Sequence, residues 1–101
     1  MKAGAAAVRV RWLNRALRNL KDEEAYIAQD DPQAAERIVV QIENAVALLS
    51  DQPALGRVGR VPGTRELVVP DTPYVVPYRV HGGYIYILRV FHGRRRWPPS
   101  L

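Results

Sequence analysis

Tyr84 to Pro98 reads YIYILRVFHGRRRWP, and the rest of the chain is arranged around this stretch. From Tyr84 to Phe91 every residue except Arg89 is aromatic, β-branched or aliphatic, the pattern of a strand packed in a sheet. The strand then runs into His92, Gly93 and the arginines Arg94, Arg95 and Arg96. It therefore delivers one histidine and a cationic cluster to one edge of the fold. A period of two puts Tyr84, Tyr86, Leu88 and Val90 on one face and Ile85, Ile87, Arg89 and Phe91 on the other. A sheet covered by helices on one side buries one set and leaves the other partly open, and Arg89 marks the open face.

Working back from that strand, His81-Gly82-Gly83 predicts a tight hairpin, with the glycines suited to positive φ. The hairpin leads to a strand over Tyr74–Val80, in which Pro77 argues for an edge or a bulge. Asp71-Thr72-Pro73 turns this strand from another over Arg65–Val69. The connection from Pro53 to Thr64, PALGRVGRVPGT, is rich in glycine but lacks the Gly-Lys-Ser or Gly-Lys-Thr ending of a phosphate-binding loop. Two helices precede it. Leu13, Leu17, Leu20, Glu24 and Ile27 follow helical spacing behind a cap at Asn14. Ala35, Ile38, Ile42, Ala45 and Leu49 form a second stripe behind Asp31 as N-cap and Pro32 at the first helical position. So short a connection predicts an antiparallel helical hairpin. Val8, Val10 and Trp12 alternate with Arg9 and Arg11 in a first strand that joins the sheet through the helical crossover. The expected fold is α+β, in the order β-α-α-β-β-β, with the hairpin packed on a small, mainly antiparallel sheet. Residues 1–7 are expected to be a disordered segment, 8–98 a single domain and 99–101 a tail.

Composition narrows the chemistry. The 101 residues contain no cysteine and only two histidines, so neither a disulfide framework, a thiolate site nor a multi-histidine metal site is expected, and no cofactor. The opening MKAGAAAVRV lacks a long apolar region before a cleavage site, and no run of 18 apolar residues occurs. That predicts a soluble cytoplasmic protein. The net charge of +5 is unevenly spread: residues 13–50 carry −3 and residues 57–96 carry +6. Thirteen of the fifteen basic residues are arginine, whose rigid donor fork suits phosphate or carboxylate. The polarity fits a nucleic acid or an acidic protein partner.

Arg65, Arg79, Arg89 and Arg95 are expected to form a concave cationic surface. Arg57 and Arg60 form a lip on the glycine-rich loop or act as carboxylate clamps that tie the loop to the acidic helices. His92 is either a structural residue or an acid–base group for RNA cleavage, with the arginines stabilising phosphorane charge. Trp97 closes the core at the end of the sheet or stacks on a base. Asp22, Glu23 and Glu24 read as a solvated helix face.

Several blocks, in order, carry a family resemblance: Trp12 and Ala16, YIAQDDPQAAERI (26–38), GRVGRVPGTRELVV (56–69), PYVVPYRV (73–80) and ILRVFHGRRRWP (87–98). The chain resembles the RelE/ParE superfamily of bacterial type II toxin–antitoxin toxins, in particular its ParE or plasmid-stabilisation branch. The resemblance implies a toxin made with a small ParD-like or related antitoxin, in a hetero-oligomer that masks the active surface. It implies one of two targets. ParE-like members poison DNA gyrase and are not nucleases. RelE-like members cut messenger RNA on the ribosome, using basic side chains on the central strands and a terminal arginine, tyrosine or histidine. Arg95 matches the terminal arginine of the RelE type and His92 the terminal histidine of the YoeB type. Glu66 and Val68 stand where RelE-like enzymes carry lysines, and Val75 where they carry an arginine, which favours gyrase. The expected binding set for target or antitoxin is Arg57, Arg60, Arg65, Arg79, Arg89, Arg94, Arg95, Arg96 and Trp97. The ribonuclease alternative would use His92, Arg65, Arg79 and Arg95. A second alternative is a non-catalytic nucleic-acid-binding domain.

Overall fold

A computed structural model describes residues 8–101; the expected disordered segment 1–7 lies outside the described residues. The elements are β1 (Arg9–Trp12), α1 (Asn14–Ala28), α2 (Pro32–Ala47) with a 3-10 turn at Leu48–Ser50, β2 (Arg57–Val58), β3 (Arg65–Val68), β4 (Tyr74–His81), β5 (Tyr84–Ile87) and β6 (Phe91–His92). The sheet order is β1-β5-β4-β3-β2, with β6 also on β4. β1 lies parallel to β5 and every other pair is antiparallel. This is the expected α+β arrangement, extended by the two-residue strands β2 and β6. Both turn glycines have positive φ, Gly82 at 57° and Gly83 at 81°, as a two-residue hairpin loop between His81 and Tyr84 requires.

The single long strand expected over 84–91 is broken. β5 pairs Tyr78 with Ile87, whereas β6 pairs Val75 with Phe91. The partner numbers sum to 165 in the first pair and 166 in the second, so one extra residue is inserted opposite Pro77. Proline has no N–H to give to a ladder, so a central strand containing it loses one bond at that point. The insertion is a β-bulge that accommodates the loss, with the Pro77 carbonyl accepting from Leu88 N at 3.0 Å. The shift reverses the faces downstream. Ile85, Ile87 and Val90 all enter the core, and Phe91 leaves it for the opposite face with its register partner Val75. Arg89 lies in the bulge and marks neither face of a continuous strand.

The core lies between the helices and one face of the sheet. Ala16, Leu20, Ile42, Val46 and Leu49 meet Leu67, Val76, Tyr78, Ile85, Ile87 and Val90. The second helix follows its predicted stripe, and the Asp31 carboxylate accepts from Ala34 N at 3.0 Å. The first helix does not follow its prediction. Its inward line is Ala16, Leu20, Glu23 and Ile27, while Leu13 and Leu17 are exposed. Leu13, not Asn14, is the N-cap and makes no side-chain cap bond; its N–H donates to Ile87 O instead. Backbone pairing to β5 fixes where this helix begins.

Candidate functional site

Glu66 points to the sheet face away from the helices, between Leu67 and Arg65, which point towards them. It is nevertheless only 3% exposed, with two arginines closed over it. Its Oε1 accepts from Arg57 Nη2 at 3.0 Å and from Arg60 Nη2 at 3.2 Å. Its Oε2 accepts from Arg60 N and Nε, both at 2.9 Å. The Arg60 guanidinium lies 3.5 Å from the Trp97 ring centroid, and Trp97 lies 4.7 Å from Phe91. Trp97 Nε1 donates to His92 O at 3.3 Å. Burial raises the Glu66 pKa, but the bonds from Arg60 and Arg57 outweigh it and hold the carboxyl below its ordinary value. The loop arginines are thus a carboxylate clamp, closed on β3 and not on the helices. Trp97 covers the outer sheet face and not the end of the main core.

A second cluster joins α1 to the segment after β6. Glu23 accepts from the Tyr74 hydroxyl at 2.9 Å through Oε1 and from Arg95 Nη1 at 2.6 Å through Oε2. Arg95 also lies over Tyr26, 5.2 Å from its centroid. Burial, then the Glu23 carboxylate, push the Tyr74 hydroxyl well above the usual tyrosine range. His92 packs edge-on against Tyr74, ring centroids 5.7 Å apart, and its Nδ1 accepts from Arg94 N at 3.2 Å. His92 and Arg94 line a cleft of 310 Å³ with Val68, Thr72 and Tyr74. Glu23 is therefore a half-buried anchor, not part of a solvated face. Its spacing from Leu20 and Ile27 puts it on the inward line, where the apolar pattern of the sequence places Glu24 instead.

The four residues of the ribonuclease alternative do not converge. His92 stands opposite Tyr74, Arg65 opposite Tyr78, and Arg79 one residue further along β4. Five residues of strand separate the positions of His92 and Arg79, about 17 Å. They also lie on opposite faces, since Tyr74 is inward and Arg79 is exposed. Arg65 is tied at the sheet edge to Gly56 O at 2.8 Å, and Arg95 is neutralised by Glu23. The concave surface expected from Arg65, Arg79, Arg89 and Arg95 is likewise dispersed. Arg89 lies near Arg15 and Arg18, and burial and those two charges lower its pKa; its Nε donates to Leu101 O at 3.4 Å. Of the expected binding set, Arg79, Arg94 and Arg96 have neither an ion pair nor a side-chain hydrogen bond among the described residues. No cluster of three or more potential metal ligands occurs among the described residues. No helix among them is long and apolar enough to cross a membrane.

An apolar groove of 320 Å³ runs between the end of α2 and β3, lined by Ala45, Leu48, Leu55, Gly56, Leu67 and Val68 among others. β2 pairs β3 only at Arg65 and Glu66, so the outer edge of β3 beyond Glu66 carries no neighbouring strand among the described residues. Leu48, Leu55, Val58 and Val68 are all exposed. Sequence patterning had singled out none of these as a surface.

Residues 10–97 match the family described as the ParE toxin of type II toxin–antitoxin system, parDE. The chain belongs to the ParE toxin family. It is the toxin component of a RelE/ParE-type system. The Sinorhizobium fredii protein Y4kP is 50% identical over 93 residues, spanning 92% of this chain and 96% of its own length. Toxin RelE2 of Caulobacter vibrioides is 38% identical over 84 residues, 83% and 93% of the two chains. Among solved structures, a chain of the chromosomal ParDE TA system from P. aeruginosa superposes with a TM-score of 0.76 at 29% identity, covering 85% of this chain and 96% of that one. That chain therefore shares the overall fold found here.

Proposed function

We propose that this ParE-family toxin acts by binding a protein target, DNA gyrase, and not by cleaving RNA, and that an antitoxin of the ParD kind holds it silent. The observation that carries the reading is the state of the arginines. RNA cleavage needs positive charge placed where the phosphorane develops, and losing one such group costs ~3 kcal/mol. Here Glu66 occupies a central-strand position and engages Arg57 and Arg60, and Glu23 engages Arg95. Arg79 is left on a different face from His92. Binding a folded protein needs none of these to converge. The apolar groove beside the open edge of β3 suits an extended antitoxin segment with aliphatic or aromatic anchors. Acidic residues on that segment would meet Arg94 and Arg96 and speed association.

The test is a side-by-side assay of purified toxin on gyrase supercoiling and on messenger RNA in translating ribosomes. Inhibited supercoiling with accumulated cleaved DNA complexes, and intact messenger RNA, is the expected result. Codon-positioned RNA cleavage without a gyrase effect would reverse it and make His92 the candidate base. Co-purification with the product of the adjacent gene tests the antitoxin. Two soluble chains that form no complex at micromolar concentration would refute that part.

A further inference from the structure

The sheet face turned away from the helices is divided. Over Glu66 of β3 and the far end of β4, Arg60, Phe91 and Trp97 lie on it and Val75, Pro77 and Glu66 are buried, while Val68 at the end of β3 is exposed. Over β1, β5 and the near end of β4 its side chains are exposed or half-buried among the described residues, with Gly63 of the preceding loop beside the Arg79 guanidinium. Register defines what stands there. Arg9 is beside Tyr84, which is beside His81; Arg11 is beside Tyr86, which is beside Arg79. Register partners share a face, and so do residues two apart on one strand. The alternating residues Val10, Trp12, Ile85 and Ile87 pack towards the helices, so these six all face outward. Two tyrosines on the middle strand are therefore flanked by basic side chains on both neighbouring strands.

We propose that this array binds single-stranded nucleic acid. The rings of Tyr84 and Tyr86 lie 5.9 Å apart at an interplanar angle of 37°, and both residues are half-buried. Arg11 lies over Tyr84 at 4.8 Å from the centroid, a guanidinium plane that extends the stacking surface. Arg9, Arg11 and Arg79 make no ion pair among the described residues, and residues 1–7 contain no acidic side chain to supply one. Strands about 4.8 Å apart put positive charge within reach of a backbone on either side of stacked bases. Bases stack on a π-face whatever their identity, so the site is tolerant of sequence. A duplex is excluded, because its bases offer no free faces to a flat sheet. The site is separate from the His92 cleft: it lies at the hairpin end of β4, the cleft at the other.

The experiment is fluorescence anisotropy of the full chain with labelled oligothymidine and oligouridine of about 16 nucleotides, at about 50 and 200 mM salt. Binding in the range of about 1–100 µM at low salt, weakening as salt rises, is expected. Tyr86→Ala should weaken it about 5- to 150-fold while circular dichroism stays unchanged, and Tyr86→Phe should restore it. Arg79→Ala should reduce the slope of log affinity against log salt by about 0.7. A preference between the oligonucleotides identifies DNA or RNA as the ligand; equal binding supports the platform as sequence- and sugar-tolerant. No binding at about 100 µM and low salt would overturn the proposal. So would binding that Tyr86→Ala leaves intact, or equal competition by polyglutamate, which would make the face a dock for acidic protein.

Discussion

Removing the Glu66 carboxylate should loosen the whole outer face of the sheet. In Glu66→Ala the carboxylate's bonds to Arg57 and Arg60 vanish, with the Arg60 backbone N–H among them. A hydrogen bond to a charged group contributes ~1.5–3 kcal/mol when both ends are desolvated. Glu66 is desolvated at 3% exposure, but the Arg57 and Arg60 side chains are 55% and 48% exposed and rehydrate once released. The full cost of breaking a buried pair, ~3–5 kcal/mol, therefore does not apply. Nor does the near-zero value of a surface pair. The expected loss is about 2–3 kcal/mol, a fall in Tm of about 10–20 °C for a domain of this size. Urea unfolding followed by circular dichroism measures it, and Trp97 emission should change with Arg60 freed from its carboxylate. A double-mutant cycle with Arg60→Ala should give a coupling energy above ~1 kcal/mol. A loss below ~0.5 kcal/mol, or additivity of the two changes, would refute the reasoning. The pH dependence follows from the lowered pKa. The stability contributed by Glu66 is fully present above the unfolded carboxyl value of 4.5 and is lost as pH falls through the lower folded value. The gap between wild type and Glu66→Gln should therefore close below pH 4.5.

Tyr74→Phe removes one bond to Glu23 and should cost ~1–2 kcal/mol in urea unfolding. Because burial raises the Tyr74 and Tyr78 hydroxyls, their contribution is present below the unfolded value of 10.0 and lost as pH rises through the higher folded values; alkaline titration of the native protein should show two tyrosines ionising only above pH 10.0. Gly56→Ala would place a Cβ 2.6 Å from the Tyr78 ring and 2.8 Å from Glu66 O, and should destabilise by ~1–3 kcal/mol with loss of the Tyr78–Gly56 bond. Arg94→Ala and Arg96→Ala should leave stability within ~0.5 kcal/mol while relieving growth inhibition. Arg95→Ala should also release α1, seen as a small loss of stability of ~0.2–1 kcal/mol.

The parts of the fold that were legible in the sequence are those specified by local chemistry. Asp31-Pro32 names a helix start because a carboxylate can accept from N–H groups of the first turn and proline lacks the one it would otherwise orphan. Gly82-Gly83 names a hairpin because two consecutive positive φ values suit little else. The start and inward face of α1 were misread because neither is local. The start is fixed by Leu13 N–H pairing with Ile87, more than seventy residues away. The inward face includes a glutamate that periodicity discards as polar, and only the tyrosine and arginine brought to it from elsewhere make it an inward residue.

The arginines show the same division more sharply. Their number and their skew towards residues 57–96 were visible in the sequence, and so was the choice between a lip and a clamp for Arg57 and Arg60. Which arginines remain free was not visible, because that depends on the placement of Glu66 and Glu23. The insertion opposite Pro77 shows why. Pro77 was readable as an edge or a bulge, yet the bulge lies in the neighbouring strand, and one inserted residue moves every later side chain to the other face. Without it Phe91 would enter the core and Val90 would leave it. Trp97 would then have no ring beside it on the outer face, and Arg60 would have no aromatic pair to lie on. The missing N–H of a single proline is thus linked, through register, to the covering of half the outer face of the sheet. The tyrosines of β5 lie before the insertion and keep the alternation that the sequence shows. That is why Tyr84 and Tyr86 share a face in both readings, although their basic neighbours on β1 and β4 could be assigned only once the register was known.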